Sequence, residues 1–354
     1  MASTSTITTT DTATPQRGIV GLANLGNTCF MNAAIQAFRH CPEWTLFCKK
    51  NGSLETHIHV KESKSAMVVY AYQDLIHSLW AGSGPAYVQP MGFYDQLKTI
   101  VKGTQYEQFT QRTPQDAHEF LVWLLDQMYM GTQQKVNIIL SDKIASNISD
   151  MAIKAIHGWK HAFENQYSPL TDLIFGMFRI QYTCKGCSAV HTRWETFNVL
   201  KISMKKDEQG RPMTLQDSIK NEYKDEIIEG YKCDSCKEAH VVKKETSIWR
   251  LPKVLLVTLA RFTPIGTRDN MPLVYDGEPL VLHSIFSHES QEETRLKEYR
   301  PFATVDHHGH HMGGHYTAQC FSPVWKSWYR YDDESVNSIQ KPSFGRETYI
   351  LMFR

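Results

Sequence analysis

The sequence predicts an α+β protein, and three observations carry that prediction. Helical spacing dominates the first part of the chain. Phe30, Ala33, Ala34, Ala37 and Phe38 share one face, and Ala117, Phe120, Leu121, Leu124, Leu125 and Met128 share another. After Phe175 the texture turns aromatic and β-branched. The two textures follow one another instead of alternating, which disfavours a parallel βαβ sheet.

In chain order, residues 2–14 are almost entirely Ser, Thr and Ala, so residues 1–17 read as a disordered tail. The first helix is expected over 29–39. Gly26, Asn27 and Thr28 supply turn and cap chemistry before it, and Pro42 closes it. A second helix is expected from Thr113, with Thr113 as cap, Pro114 at the first position and Asp116 completing a capping-box-like pattern. Residues 66–80 and 150–163 also have helical spacing. Phe178, Ile180, Tyr182, Trp194, Phe197, Val199 and Ile202 suggest short strands. The apolar run 253–259 reads as a strand buried on both faces, and the chain is strand-like again from Tyr316. No long low-complexity linker interrupts residues 18–354, so they read as one unit.

Composition removes several functions. The 38 basic and 37 acidic residues give a net charge of +1, without the basic excess that nucleic-acid binding needs. There is no apolar run long enough to span a membrane and no apolar signal region, so an intracellular protein is expected. The eight cysteines are then expected as thiols, not disulfides.

Which of them do chemistry follows from position. Cys29 lies where a Gly-Asn-Thr turn meets a helix, whose N-terminal partial charge favours a thiolate. A buried apolar cysteine is the competing reading. A nucleophile needs a base, distant in sequence. His307, His308, His310, His311 and His315 lie close together, and the run 307–311 reads as a loop in which His310 and His311 are solvated. His315 differs, because Gly313 and Gly314 precede it and a strand-like run follows. Asp332 or Asp333 stands where an adjacent antiparallel strand brings a carboxylate to His315, although such a cluster is also a common solvated turn. Cys184/Cys187 and Cys233/Cys236 form two C-x-x-C pairs. That spacing lets four thiolates close a tetrahedron about 2.3 Å from a zinc ion, with redox pairs or plain turns as the alternatives.

These residues together resemble one family. The segment 21–36, with Asn24, Cys29 and Gln36, is similar to the cysteine box of the ubiquitin-specific proteases. Gly314, His315 and Tyr316, followed by Tyr331, Asp332 and Asp333, resemble their histidine box. Residues 114–120 and 251–262 resemble two further segments of the family, and the motifs keep their order across 18–354.

The resemblance implies a papain-like cysteine protease fold: a thumb over about 18–170, zinc-binding fingers over 171–250 and a palm over 251–354. It implies thiol-dependent hydrolysis after the C-terminal glycine of ubiquitin, with ubiquitin and ubiquitinated proteins as partners. A weakly active ubiquitin-binding scaffold and a protease for another ubiquitin-like modifier are its alternatives. It assigns Cys29 as nucleophile, His315 as base and acid, Asp332 as its orienting group with Asp333 as second choice, and Asn24 as oxyanion donor. It assigns ubiquitin-tail contacts to Asp116, Glu119, Gly314 and Tyr316, and structural Zn2+ to Cys184, Cys187, Cys233 and Cys236.

Overall fold

The structure, a computed structural model, describes residues 18–50, 52–81, 85–139, 148–263, 267–290, 297–310 and 313–354. The tail expected over 1–17 lies outside the described residues.

Strand β1 (Gly21–Leu22) leads to helices α1 (Cys29–Phe38), α2 (Pro42–Lys49) and α3 (Lys64–Leu79), then to β2 (Tyr87–Val88), α4 (Met91–Val101) and α5 (Ala117–Gly131). Helices α6 (Asp150–Phe163) and α7 (Thr171–Ile174) follow. Strands β3 (Gly176–Cys184), β4 (Val190–Phe197) and β5 (Leu200–Ile202) come next, then helix α8 (Leu215–Glu222). The remaining strands are β6 (Glu226–Lys232), β7 (Ala239–Arg250), β8 (Leu255–Leu259), β9 (Leu280–Val281), β10 (Glu298–Tyr299) and β11 (Pro301–His310). The chain ends with β12 (Gly313–Ser322), β13 (Ser327–Asp332), β14 (Ser335–Ile339) and β15 (Thr348–Phe353).

Helices therefore precede strands, as the α+β reading requires. Two details differ. Pro42 does not merely end the first helix; it opens α2, where a missing N–H costs nothing. The helix expected from Thr113 begins at Ala117, because Asp116 itself caps it, accepting from His118 N at 2.7 Å and Glu119 N at 3.0 Å.

Two large sheets organise the molecule. One has seven strands in the order β14-β13-β12-β11-β15-β8-β5, and the other four in the order β4-β3-β7-β6. All five residues of β8 are buried, as a strand covered on both faces demands. β5 leaves the four-stranded sheet's stretch of sequence and pairs with β8 in the larger sheet.

Helix α1 fixes the future site. All ten of its residues are buried, since it packs between α3 and α5 on one side and the seven-stranded sheet on the other. Among the described residues no helix is long and apolar enough to cross a membrane.

Candidate active site and four-cysteine cluster

Cys29 is the first residue of α1 and is 8% exposed. Burial pushes its thiol above the ordinary cysteine value; the backbone N–H of Tyr316 opposes that shift, and the Asp333 carboxylate adds to it. The helix terminus alone therefore does not give a resting thiolate.

His315 lies near the start of β12, immediately before Tyr316. Its Nε2 lies 2.6 Å from Asp332 Oδ1 at the end of β13, the strand next to β12. That pairing leaves Nδ1 as the ring nitrogen for proton exchange. Of the two candidate aspartates, Asp332 is thus the one bonded to His315.

Asp333 has other partners. It occupies the turn between β13 and β14 with φ +47°, and its carboxylate accepts from Asn24 Nδ2 and Asn32 Nδ2, each at 2.8 Å. Its carbonyl accepts from Leu22 N at 2.9 Å. The turn is thereby tied both to α1 and to the loop preceding Cys29. Asn24 faces that loop too, its Oδ1 accepting from Gly26 N at 2.9 Å and Thr28 N at 3.1 Å.

A cleft of about 270 Å³ opens beside Cys29, lined among others by Asn27, Asp116, Phe262, Gly314 and Tyr316. Asp116 spends one oxygen on its helix cap and accepts from Tyr349 Oη at 2.7 Å with the other. Glu119 accepts from Gln108 Nε2 at 3.1 and 3.2 Å and lies outside the lining. Gly314 has no room for a side chain, because a Cβ would collide with the His307 ring. The histidine run is not the expected loop. His307 and His308 belong to β11, and His307 is buried between Phe262 and Tyr316, at ring distances of 5.2 and 4.6 Å. His310 ends that strand exposed, and His311 lies outside the described residues.

Sequence reasoning missed Asn32, Asn27, His307 and Tyr349 as members of this site. Asn32 carried a usable signal: an amide inside an otherwise apolar helix must find partners. Asn27 was legible only as a turn residue before Cys29, and His307 and Tyr349 gave no signal, since only folding brings them to Cys29.

The four cysteines also meet. Cys184, Cys187, Cys233 and Cys236 place their sulfurs within 4.8 Å of one another, with Cys187 and Cys233 3.7 Å apart. A tetrahedron with 2.3 Å zinc–sulfur bonds has edges of about 3.8 Å, so the donor set fits such an ion. The two turns are twins. In one, Ser188 N donates to Cys184 O and Cys184 N to Ala189 O; in the other, Lys237 N donates to Cys233 O and Cys233 N to Glu238 O. Ser188 and Lys237 both have positive φ, at 58° and 63°. One turn joins β3 to β4 and the other joins β6 to β7. Backbone N–H groups of Cys236 and Ser235 pull the Cys233 thiol down, toward the thiolate that a metal takes, while, against the pull of the Ala189 backbone N–H, burial and the other three sulfurs push Cys187 up, so the negative charge settles on Cys233.

Comparison with known proteins agrees with this picture. Ubiquitin carboxyl-terminal hydrolase 2 of Bos taurus is 29% identical over 346 residues, covering 95% of this chain and 55% of its own length. Ubiquitin carboxyl-terminal hydrolase 4 of Saccharomyces cerevisiae (strain YJM789) is 25% identical, covering 94% of this chain and 39% of its own. The chain thus spans about half, or less, of the length of these relatives. The fold matches the SAGA Ubp8/Sgf11/Sus1/Sgf73 DUB module bound to ubiquitin aldehyde, with a TM-score of 0.69 at 21% identity over 96% of this chain and 70% of that one. The same module bound to monoubiquitin also scores 0.69, at 19% identity over 97% and 70%. The family profile described as ubiquitin carboxyl-terminal hydrolase matches residues 20–353. This chain, with its papain-like α+β fold, belongs to the ubiquitin carboxyl-terminal hydrolase family.

Proposed function

We propose that the protein is a deubiquitinating thiol protease, hydrolysing the bond after the C-terminal glycine of ubiquitin. The observation that carries this reading is the 2.6 Å His315–Asp332 pair on the strand whose Tyr316 N–H faces the Cys29 sulfur. Family membership supplies the substrate.

In this reading His315 Nδ1 takes the proton of Cys29 as substrate displaces water, and Asp332 steadies the imidazolium through Nε2. The thiolate attacks the terminal glycine carbonyl. The oxyanion is met by the Cys29 backbone N–H and the free hydrogen of Asn24 Nδ2, whose other hydrogen is held by Asp333. His315 then protonates the leaving amine, and a thioester remains. Water, deprotonated by His315, cleaves the thioester and restores the thiol. Asp333 acts on Asn24, not as a substitute for Asp332. Asp116, Gly314 and Tyr316 line the approach to the sulfur, with Gly314 leaving room for the His307 ring packed behind it. Glu119 contributes charge from beyond the cleft.

The four cysteines would hold one Zn2+, which supplies a cross-link between two hairpins and no open coordination position. We assign the thumb to 18–170, the fingers to 171–250 and the palm to 251–354, with β5 returning to the palm sheet. Eight free thiols suit an intracellular protein.

The test is release of a fluorophore from the C-terminus of ubiquitin, beside a Cys29→Ala control. Release by the native chain and none by the variant is expected. Absence of release from ubiquitin, but release from another ubiquitin-like modifier, would move the substrate and keep the chemistry.

A further inference from the structure

A second concave site lies at the opposite end of the large sheet. β12 runs from Gly313, beside His315, to Ser322, so about 30 Å of strand separates the two ends. At the far end a groove of about 760 Å³ is open, within the size range of binding sites. Its apolar lining is Phe302, Phe321, Trp328 and Phe344. Five cations surround it: Lys253, Lys297, Arg300, Lys341 and Arg354. Three acids, Glu43, Asp276 and Glu278, also line it, so five positive less three negative leaves +2 on a chain whose total is +1.

Among the described residues none of the five lies in a salt bridge. Arg300 and Arg354 are directly opposed, exchanging backbone hydrogen bonds of 2.9 and 3.0 Å. Like charges in that relation repel. Lys297 donates to the Lys253 carbonyl at 2.6 Å and lies 4.9 Å from the Tyr299 ring centre. Burial disfavours its charged form; Glu43 favours that form, and Lys253 and Arg354 oppose it. Such a cluster costs stability in the free protein and gains most from an incoming anion.

The floor of the groove says what kind of anion. Phe321, Trp328 and Phe344 are each only partly buried, so an aromatic floor lies between the cations. A small inorganic anion would use the charges and leave that floor bare.

We propose that this groove is a docking site for an acidic peptide segment of a protein partner, its carboxylates meeting Lys253, Lys297, Arg300, Lys341 and Arg354 and its apolar side chains lying on the aromatic floor. The site is remote from Cys29 and does not depend on the reaction assigned there.

The experiment uses the whole chain and a short fluorescein-labelled peptide alternating Asp and Glu with Phe and Leu. Its controls are the same peptide with Asn and Gln replacing the acids, and inorganic phosphate as competitor. Fluorescence anisotropy should show binding of the acidic peptide, weakening with salt, and none of the neutral one. Lys297→Glu with Arg300→Glu should weaken it about tenfold or more, as loss of close charge pairs does. Trp328→Ala should weaken it less. Thermal unfolding and ubiquitin–fluorophore release by both variants should stay near the native values, which separates this site from the active site and from misfolding. Equal binding by the charge-reversed chain, equal binding of the neutral peptide, or full displacement by phosphate would each overturn the proposal.

Discussion

Cys29 shows how a residue's chemistry depends on what surrounds it. Its place at a helix start favours a thiolate, yet burial wins and holds the thiol above its ordinary value. The sign is definite: raising a thiol's pKa lowers its thiolate fraction at neutral pH. Alkylation of the free protein by iodoacetamide should therefore keep accelerating beyond about pH 9, the ordinary cysteine value. A rate already flat below neutrality would mean a resting Cys29–His315 ion pair instead. Asn32 makes the complementary point. It is 2% exposed, and its amide reaches Asp333 Oδ1, Leu22 O and Ala23 O. Asn32→Ala leaves those acceptors short of a donor, at a cost of about 1–3 kcal/mol. It should also slow turnover, because Asp333 then holds Asn24 less firmly. Guanidinium unfolding and kcat/KM read the two effects; a change in stability without one in turnover would make Asn32 purely structural.

At the scale of elements, the paired cysteine turns join two hairpins that the sheet already connects through β3 and β7. A bound metal would fix the outer ends of those hairpins, where little apolar surface is buried: the local cluster has only Cys184, Cys233 and Val242 at its centre. Removing zinc with a chelator, or replacing Cys236 with Ser, should lower Tm and speed amide exchange in β6 and β7 before it reaches α1. Metal analysis finding far less than one zinc per chain removes the assignment. Helix α6 lies over the residues whose spacing suggested a helix, 150–163. Its cap, Ser149, and its apolar spacing are both local signals. Helix α4 was not anticipated, since it has no side-chain cap and is recognisable mainly by the core it meets. The histidine run failed as a loop for the same reason: nothing near His307 in sequence announces Phe262.

For the whole molecule, pH dependence follows from a buried carboxyl in the large sheet. Asp306, 4% exposed beside a bulge in β11, accepts from Gln319 Nε2 at 2.7 Å and Thr304 Oγ1 at 3.2 Å. Burial raises its pKa to about 6. Between about pH 4 and 6 the folded state keeps a proton that the unfolded chain has released, so stability falls as pH rises through that window. The effect is about 3 kcal/mol. Buried His40 acts in the opposite sense, because burial holds it neutral and acid favours the unfolded chain. The comparison of native and Asp306→Asn stability against pH isolates the carboxyl. The native slope minus the variant slope should be negative from about pH 4 to 6, and equal slopes would refute the assignment.

The sequence by itself determined the α+β order, the family, and the residue types at the sulfur, imidazole and four-thiol positions. Those depend on local spacing and on motifs that stay intact along the chain. Tertiary structure alone decided that Asp332 bonds His315 while Asp333 holds Asn24 and Asn32, since adjacent residues in a tight turn point in different directions. It also decided the thiol's environment and the cationic groove. Both arise where strands distant in sequence end side by side, and the energy of a charge depends on the neighbours and solvent it finds there.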